Sequence, residues 1–390
     1  YFDGNTSDSG DMSSLKVYSD ETIVLPKNTF EKTGYSFVGW AETASGDIIV
    51  TDTEKYVMPC EESVTLYAVW KANTYAVTLN PEGGKINRTY YNVEYDSLYA
   101  LGVPEYKLGY QFLGWYDKND ASGEVYTDTL GESLNVWKNT TNKTLYAKWA
   151  IKDEMKIFNF SSTFNSCEIV GIYDKSIQNL YVPVYVTKIE YAAFKGCNLI
   201  RKIIVPFIGE TSEIDTSKNQ TLGWLFGEFD SQPSENLSSY LMSKNTNQVY
   251  QEGTNGFHKV YNIPSAIREI TITRQTVIPQ NAFIRCDLVK KISISSLCTE
   301  IQDSAFRYCS ALNNFELPET ILKIGSGAFS DCIDISRINS SNDSIINLPK
   351  KLQEIGDSAF MNLQKISRVI LPKGLKIIGA QAFLGCVNLQ

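Results

Sequence analysis

The sequence predicts a mostly β protein with short helical or turn segments, in which two related small modules precede a solenoid of short repeats. An aromatic block of eight residues occurs twice in the first 150 residues, so two copies of one module are expected there. From about residue 152 an Ala-Phe pair recurs, three times at a spacing of 23 residues, which indicates a stacked array. We therefore predict modules at 1–73 and 74–151 and a solenoid at 152–390, with an insertion around 209–262.

Composition and charge narrow the function classes. Hydrophobic residues make up 43% and charged residues 21% of the 390, a balance typical of folded globular chains. Residues 1–150 hold 21 acidic and 12 basic side chains, and residues 151–390 hold 23 and 24. A nucleic-acid partner is not expected, because phosphate binding requires a basic excess that neither part has. No apolar run approaches 18 residues, so no transmembrane segment is expected either.

The sequence carries no recognisable catalytic motif. A single histidine, His258, excludes sites that need two imidazoles, including the usual zinc-hydrolase ligand sets. The nucleophile-elbow, phosphate-loop and zinc-protease patterns do not occur. We therefore predict that the protein is not an enzyme, with no catalytic, cofactor-binding or metal-ligating residues and no cofactor.

Both ends of the chain indicate a piece of a longer protein. The sequence begins at Tyr1, without a methionine or a signal-peptide pattern, and it stops after residues 386–389, within a repeat.

The two modules are read from their shared motifs. Residues 33–40 (TGYSFVGW) recur as 108–115 (LGYQFLGW), and residues 66–70 (LYAVW) recur as 145–149 (LYAKW). Alternation predicts a strand with Tyr35, Phe37 and Gly39 on one face. A third strand, 77–80, leads the second module into a turn, and residues 1–5 look like a truncated counterpart in the first.

This paired motif resembles the Listeria–Bacteroides repeat, also known as the internalin B-repeat, over residues 1 to about 151. The resemblance implies a β-grasp-like fold that occurs in tandem on bacterial surface proteins. It also implies a role as a stalk or interaction module, without known chemistry.

The aromatic residues of these modules allow two interpretations. Five of the six tryptophans and 15 of the 23 tyrosines lie in the first 150 residues. They could form a surface on which sugars stack, or fill the core of a domain too small to have a large one. Repetition at the same positions favours the core. A loop at 117–124 begins like a calcium-binding EF-hand loop, but Ala121 and Ser122 break that pattern, so we predict a hairpin tip.

The solenoid repeat has a readable template around each Ala-Phe pair. Counted from Phe329, it places Pro318 eleven residues before, Gly325 four before and Cys332 three after. Residues 315–317 and 369–371 are predicted to be three-residue strands whose outer members face the core. The glycine is expected to permit a turn with positive φ, and the phenylalanine to fill the space between layers.

Two stretches depart from the 23-residue period. About eight extra residues around 340–347 are expected to form a loop that leaves the stack intact. The 89 residues between Phe194 and Phe283 contain a degenerate copy at 222–226. A polar insertion of about 228–258 follows, with Tyr240, Tyr250 and Phe257; it marks either a binding face or a decoration without function.

The pattern LPxxIxxIGxxAFxxC resembles the BspA-like leucine-rich repeat, over about 167–390. This resemblance implies a curved leucine-rich-repeat solenoid on secreted or surface-attached bacterial proteins, commonly adhesins. Its partners are then host extracellular or mucosal proteins or glycans, or components of a bacterial surface. The ligand and the oligomeric state are not encoded in any feature of the sequence.

Most of the eight cysteines are predicted to be buried free thiols. Five share one position of the repeat: Cys197, Cys286, Cys309, Cys332 and Cys386. Their side chains should stack in parallel, a geometry that disfavours disulfides. Leucine at the same position, Leu363, suggests that an apolar group is needed there and not a thiol. The states of Cys60, Cys167 and Cys298 are left open.

Three hypotheses follow. In the first, a non-catalytic surface protein binds ligand through the solenoid while the modules space or project it. If the concave strand face binds, the middle strand residues are the candidates: Thr271, Ser293, Glu316 and Ile370. In the second, the chain is a stalk that presents another domain. An enzyme is the third.

Overall fold

The computed structural model describes residues 1–60, 63–120, 122–213, 220–228, 248–252 and 258–390. Within them the chain divides into two compact units, Tyr1–Ala150 and Ile151–Gln390. Regular structure in these residues is almost entirely β, apart from the two short 3-10 helices Asp153–Met155 and Leu222–Leu225. The predicted mostly β fold class is confirmed, whereas the β-grasp detail and the module boundaries stay predictions.

The first unit contains two similar sheets. Its described strands are β1 Phe2–Asp3, β2 Thr22–Val24, β3 Tyr35–Ala41, β4 Lys55–Val57, β5 Leu66–Ala72, β6 Thr74–Asn80, β7 Tyr90–Glu94, β8 Tyr110–Tyr116 and β9 Lys143–Ile151. One sheet has the order β1-β5-β3 and the other β7-β6-β9-β8, while β2 and β4 form a separate antiparallel pair. In each sheet the motif strand (β3 or β8) and the leading strand (β1 or β6) flank the LYAxW strand.

The leading strands of the two sheets are equivalent. Phe2 pairs in parallel with Leu66, as Leu79 pairs in parallel with Leu145. The predicted third strand, and its short counterpart at residues 1–5, are therefore confirmed.

A β-bulge in β3 overturns the predicted alternation. The register shifts between Phe37 and Gly39, so Phe37 and Trp40 pack together with ring centroids 4.9 Å apart although three positions separate them. A Cβ on Gly39 would lie 2.9 Å from the carbonyl oxygen of Val50, and one on Gly114 would lie 2.4 Å from that of Thr127. The glycine of each motif is thus explained by close backbone contact.

The tryptophans of this unit belong mainly to its cores, as predicted. Trp40, Trp115 and Trp137 are at most 1% exposed. The half-buried Trp149 donates its indole N–H to the carbonyl of Pro81, as Trp70 does to that of Gly4. In the loop after β8, the backbone N–H of Asp117 donates to the carbonyl of Glu124, as expected at a hairpin tip; Ala121 lies outside the described residues.

The second unit is a stack of short chain turns joined by two sets of parallel strands. Its described strands are β10 Phe158–Ser162, β11 Cys167–Ile172, β12 Asn179–Tyr181, β13 Lys188–Ile189, β14 Lys202–Val205, β15 Gln248–Glu252, β16 His258–Asn262, β17 Glu269–Ile272, β18 Val277–Ile278, β19 Lys291–Ser293, β20 Glu300–Ile301, β21 Asn314–Phe315, β22 Lys323–Ile324, β23 Arg337–Ile338, β24 Ile345–Asn347, β25 Glu354–Ile355, β26 Arg368–Ile370 and β27 Ile377–Ile378. We call the parallel sheets β12-β14-β17-β19 and β21-β23-β24-β26 ladder A, and β18-β20-β22-β25-β27 ladder B. Each strand is one rung.

The strands of ladder A begin earlier than predicted. β21 starts at Asn314 and β26 at Arg368, one residue before the predicted starts, and Glu316 lies outside the strand. Phe315 and Leu317 are buried as expected, but Leu371, just after the last rung, is 47% exposed.

Phenylalanines fill the space between the ladders. The rings of Phe283, Phe306, Phe329 and Phe360 are fully buried and stack face to face, with neighbouring centroids 5.0 to 5.5 Å apart. Each repeat thus buries its ring only against the repeats on either side, so stability comes from stacking.

The glycine of the template has a different role from the predicted one. Gly325 is not at positive φ; a Cβ there would lie 2.5 Å from Asp303 Oδ1 and 2.6 Å from Asp303 N. Gly379 stands in the same relation to Asp357. At Gly325 and Gly379 a side chain would meet the backbone of the preceding repeat, so glycine is favoured at these two repeats. Positive φ occurs two residues later, for example at Gly327.

The extra residues around 340–347 do not form only a loop. They return the chain to ladder A as β24, which pairs in parallel with β23 on one side and β26 on the other. Ladder B passes directly from β22 to β25, so ladder A gains a rung that ladder B lacks. Asn339 and Ser344, both at positive φ, bound the turn that allows this return.

The degenerate copy at 222–226 takes a place in the stack. Phe194 N–H donates to the carbonyl of Leu225, and Leu222 N–H donates to that of Ala282, so this copy lies between those two repeats. The insertion contributes the antiparallel hairpin β15–β16, in which Tyr250 lies on the first strand and His258 begins the second. Tyr240 and Phe257 lie outside the described residues.

Candidate ligand-binding face

The outer side of ladder A follows from strand alternation. Each rung has an inward-facing apolar residue, such as the buried Ile270 and Ile292, and the residues on either side of it point to the opposite face. We call the position before the buried residue the leading column and the position after it the following column. Side chains of one column are neighbours on successive rungs, about 4.8 Å apart.

The predicted binding residues fall in the following column or at its continuation. Thr271 and Ser293 are direct register partners on β17 and β19. Ile370 ends β26, pairs with Asn347 and is 41% exposed. Glu316 is exposed just after β21. The structure therefore brings Thr271 and Ser293 together, while Ile370 is on a later rung.

Sequence reasoning missed the leading column, which carries most of the charge on this face. Its register partners include Lys202, Glu269 and Lys291 on three successive rungs, and Arg337 and Arg368 farther along. The signal was available: each of these residues precedes a buried strand residue in the same frame as the template. The template that is anchored on the Ala-Phe pair specifies the buried positions and leaves the leading column undefined.

The extra rung creates an open polar cavity of about 630 Å³ beside the leading column. Its lining includes Asn314, Ser336, Arg337 and Asp343. With the Asn314 amide oriented to suit its neighbours, its nitrogen donates to Ser336 Oγ (3.1 Å) and its oxygen accepts from Arg337 Nη2 (3.3 Å). Ser336 Oγ and Arg337 Nη1 lie 3.2 and 3.1 Å from Asp343 Oδ1. This closed network fixes the turn before β24 and lines the cavity with groups suited to hydroxyl or amide ligands.

The cysteine column lies inside the solenoid, away from this face. Seven of the eight cysteines are buried and Cys60 is exposed, and none of the eight forms a disulfide. Burial raises the pKa of Cys309 and Cys332 well above the usual thiol range. Since the thiolate is the nucleophile and the metal ligand, these side chains are structural.

Among the described residues, no group of three or more His, Cys, Asp or Glu side chains is placed to hold a metal ion. None of the helices in that same part of the chain combines the length and the apolar character that spanning a membrane requires.

Comparison with known families agrees with the two kinds of repeat in this chain. Residues 150–217, 248–345 and 339–390 match the BspA type Leucine rich repeat region, in six copies, over more than half of the chain. The chain belongs to the BspA-type leucine-rich repeat family. Residues 1–69 and 75–148 match the Listeria-Bacteroides repeat domain, so both resemblances found in the sequence are confirmed.

Named relatives of this BspA-type chain cover only part of it. Internalin H of Listeria monocytogenes serovar 1/2a is 33% identical over 147 residues, which is 37% of this chain and 24% of that protein. A Gly-rich membrane protein of Evansella cellulosilytica is 31% identical over 198 residues, 50% of this chain and 22% of that protein. The chain thus spans less than a quarter of the length of each of these relatives.

Among solved structures, a leucine-rich repeat protein from T. pallidum is 19% identical to this BspA-type chain, with a TM-score of 0.35. The likeness covers 60% of this chain and 89% of that one.

Proposed function

We propose that the protein is a non-catalytic bacterial adhesin, secreted or attached to the cell surface, which binds a host or bacterial surface ligand through the outer side of ladder A. The two modules at 1–73 and 74–151 then serve as spacers that project the solenoid at 152–390. Membership of the BspA-type family and similarity to an internalin support an extracellular location and a protein or glycan partner.

One observation carries the proposal: the inward positions of ladder A repeat, whereas its outward positions differ from rung to rung. The inward residues are all apolar: Leu180, Ile203, Ile270, Ile292, Phe315, Ile338, Ile346 and Val369. The outward residues of adjacent rungs include a lysine, a glutamate, a threonine and a serine. Stacking requires only the inward set, so the varied outward set is available for recognition, as on other solenoids.

The test is a binding screen with the full chain and surface variants. Immobilised mucin, fibronectin, fibrinogen, collagen and bacterial cell-wall glycans are offered in turn. For any ligand bound saturably, the double substitution Thr271→Glu and Ser293→Glu should weaken binding tenfold or more, because it places two charges on adjacent rungs of the face. The matched pair Ser13→Glu and Ser14→Glu, exposed in the first unit, should leave binding unchanged.

The alternative is a stalk that presents another domain of a longer protein. This chain spans less than a quarter of the length of two relatives, which is consistent with a spacer segment in a longer protein. Absence of saturable binding to every ligand in the screen would support the stalk, and binding that the solenoid variants leave untouched would contradict the role of ladder A.

A further inference from the structure

Three successive rungs of ladder A carry a concentrated positive charge at their leading edge. Two polar residues precede the buried isoleucine at each of these rungs, one just before the strand and one at its start: Arg201 and Lys202 at β14, Arg268 and Glu269 at β17, and Lys290 and Lys291 at β19. Five of these six side chains are cationic. We call these six residues the basic cluster.

Backbone pairing holds the cluster in register. Lys202, Glu269 and Lys291 are partners in the parallel sheet. One position earlier, Arg268 N–H donates to the carbonyl of Arg201 and Lys290 N–H donates to that of Arg268, each at 2.9 Å. The cluster is therefore two columns wide and three rungs long, with its rungs about 4.8 Å apart.

The charges face solvent and are only partly neutralised within the cluster. Arg201, Arg268, Lys290 and Lys291 are exposed. The carboxylate of Glu269 lies 3.5 Å from Lys202 Nζ. Arg268 Nη1 donates to the carbonyls of its own turn, at Ser265 and Ile267, which holds the guanidinium at the edge of the sheet.

This charge is local to the cluster. Residues 151–390 as a whole hold 24 basic and 23 acidic side chains, so a general basic character is absent. The leading position of the next rung, β21, is the uncharged Asn314. Asp287, in the turn before β19, is an acid near the cluster along the chain. A positive field confined to one edge of a strand ladder favours a linear polyanion lying along the rungs.

We infer that the basic cluster binds a sulfated polysaccharide. This inference rests on the proposed function, which exposes the solenoid to outer cell surfaces and mucus, where sulfated chains are the abundant linear polyanions. Clusters of Lys and Arg are a recognised basis for binding such chains, and guanidinium groups pair well with anionic oxygens.

Nucleic acid fits the cluster less well. Strong binding of duplex DNA draws on many phosphate contacts, about six to ten in a typical strongly salt-dependent case, and this cluster offers five cations. Binders of single strands add aromatic side chains on which bases stack. The following column of the same rungs offers Ile204, Thr271 and Ser293 instead.

The test measures binding of the full chain to immobilised heparin oligosaccharides at several salt concentrations, beside desulfated heparin, polyphosphate and duplex DNA. Saturable binding to heparin should weaken as salt rises and should be lost with desulfated heparin. The double variant Lys290→Ser, Lys291→Ser should weaken binding tenfold or more and lower the slope of log affinity against log salt by about one per cation removed. Glu269→Gln should strengthen binding.

The control pair Lys350→Ser, Lys351→Ser removes the same charge from exposed positions of the turn before β25 and should leave heparin binding unchanged. The inference would be overturned if the control pair lost as much heparin affinity as the cluster variants, or if the cluster variants left heparin binding unchanged. Tighter binding to DNA or polyphosphate than to heparin would also overturn it. Circular dichroism and the urea midpoint of each variant establish that it folds.

The two proposals can fail separately. The chain could bind a protein from the screen saturably, lose that binding on Thr271→Glu and Ser293→Glu, and show no affinity for heparin. That result would overturn the polysaccharide inference and leave the proposed adhesin function in place. Absence of binding in both experiments would overturn both.

Discussion

The thiol Sγ of Cys332 lies 3.0 Å from the backbone carbonyl oxygen of Phe306, in the preceding repeat. Cys309 stands in the same relation to Phe283, and Cys386 to Phe360. Each thiol therefore donates a weak hydrogen bond across the stack, in addition to filling apolar space. Leucine at the equivalent position 363 shows that the space is required and the hydrogen bond is dispensable at one repeat.

The first prediction concerns thiol reactivity. Cys60 is exposed, whereas the other seven thiols are buried, and burial disfavours their thiolate forms. We expect one equivalent of a thiol-specific chromogenic reagent to react rapidly with the native protein, and the remaining seven to react only on unfolding. Cys60→Ser should abolish the fast phase. Two or more fast equivalents in the wild-type chain would contradict the buried column.

The second prediction concerns pH. Burial raises the pKa of Cys298 to about 11. An unfolded thiol titrates at about 8.5. The folded state therefore keeps this proton to higher pH, and the contribution to stability is fully present below pH about 8.5 and is lost as pH rises toward 11. The free energy of unfolding in urea should fall between pH 8 and about pH 10.5.

Other groups titrate in the same range, so the informative quantity is the difference between wild type and Cys298→Ala. The variant should lose less stability over this interval, because it lacks the thiol that titrates only when unfolded. An equal fall in both proteins would argue against a perturbed thiol at this position.

The third prediction tests the close-contact explanation of the template glycine. In Gly325→Ala the new Cβ meets backbone atoms of Asp303, which cannot move without disturbing the preceding repeat. We expect a loss of about 1–3 kcal/mol in the free energy of unfolding. At Gly374 the nearest atom is the carbonyl oxygen of Lys350, 3.8 Å from the new Cβ, so Gly374→Ala should be nearly neutral. Similar losses in the two variants would contradict the close-contact explanation.

The sequence predicted best what is repeated and buried. Phe329 and Cys332 recur because every layer needs the same space filled, and burial follows from that repetition. The role of Gly325 could not be read in the same way, because its constraint comes from a backbone 22 residues earlier that only the folded register brings near. The periodic pattern therefore showed that position 325 is constrained, but it did not show what constrains it.

The extra rung of ladder A is a second feature that the repeat pattern predicted only in part. Counting residues between Phe329 and Phe360 predicts an insertion, but only pairing reveals that Ile346 repeats the place of Ile338 on ladder A. The local signal was the recurrence of Ser-x-Ile-Asn, at 336–339 and 344–347, eight residues apart. The antiparallel hairpin β10–β11, which precedes the regular rungs, carries no repeat pattern and was not anticipated.

The last prediction tests whether the solenoid behaves as a nearest-neighbour array. Phe329 stacks between Phe306 and Phe360, whereas Phe383 stacks on Phe360 and is half-buried. Phe329→Ala opens a cavity at the centre of the ring stack and should cost about 3–5 kcal/mol. Phe383→Ala should cost less than half as much, because one interface and less buried area are lost. Urea unfolding of both variants, followed by the loss of β-sheet signal, measures the difference. Equal costs would contradict the expectation that the cost depends on the number of stacked neighbours.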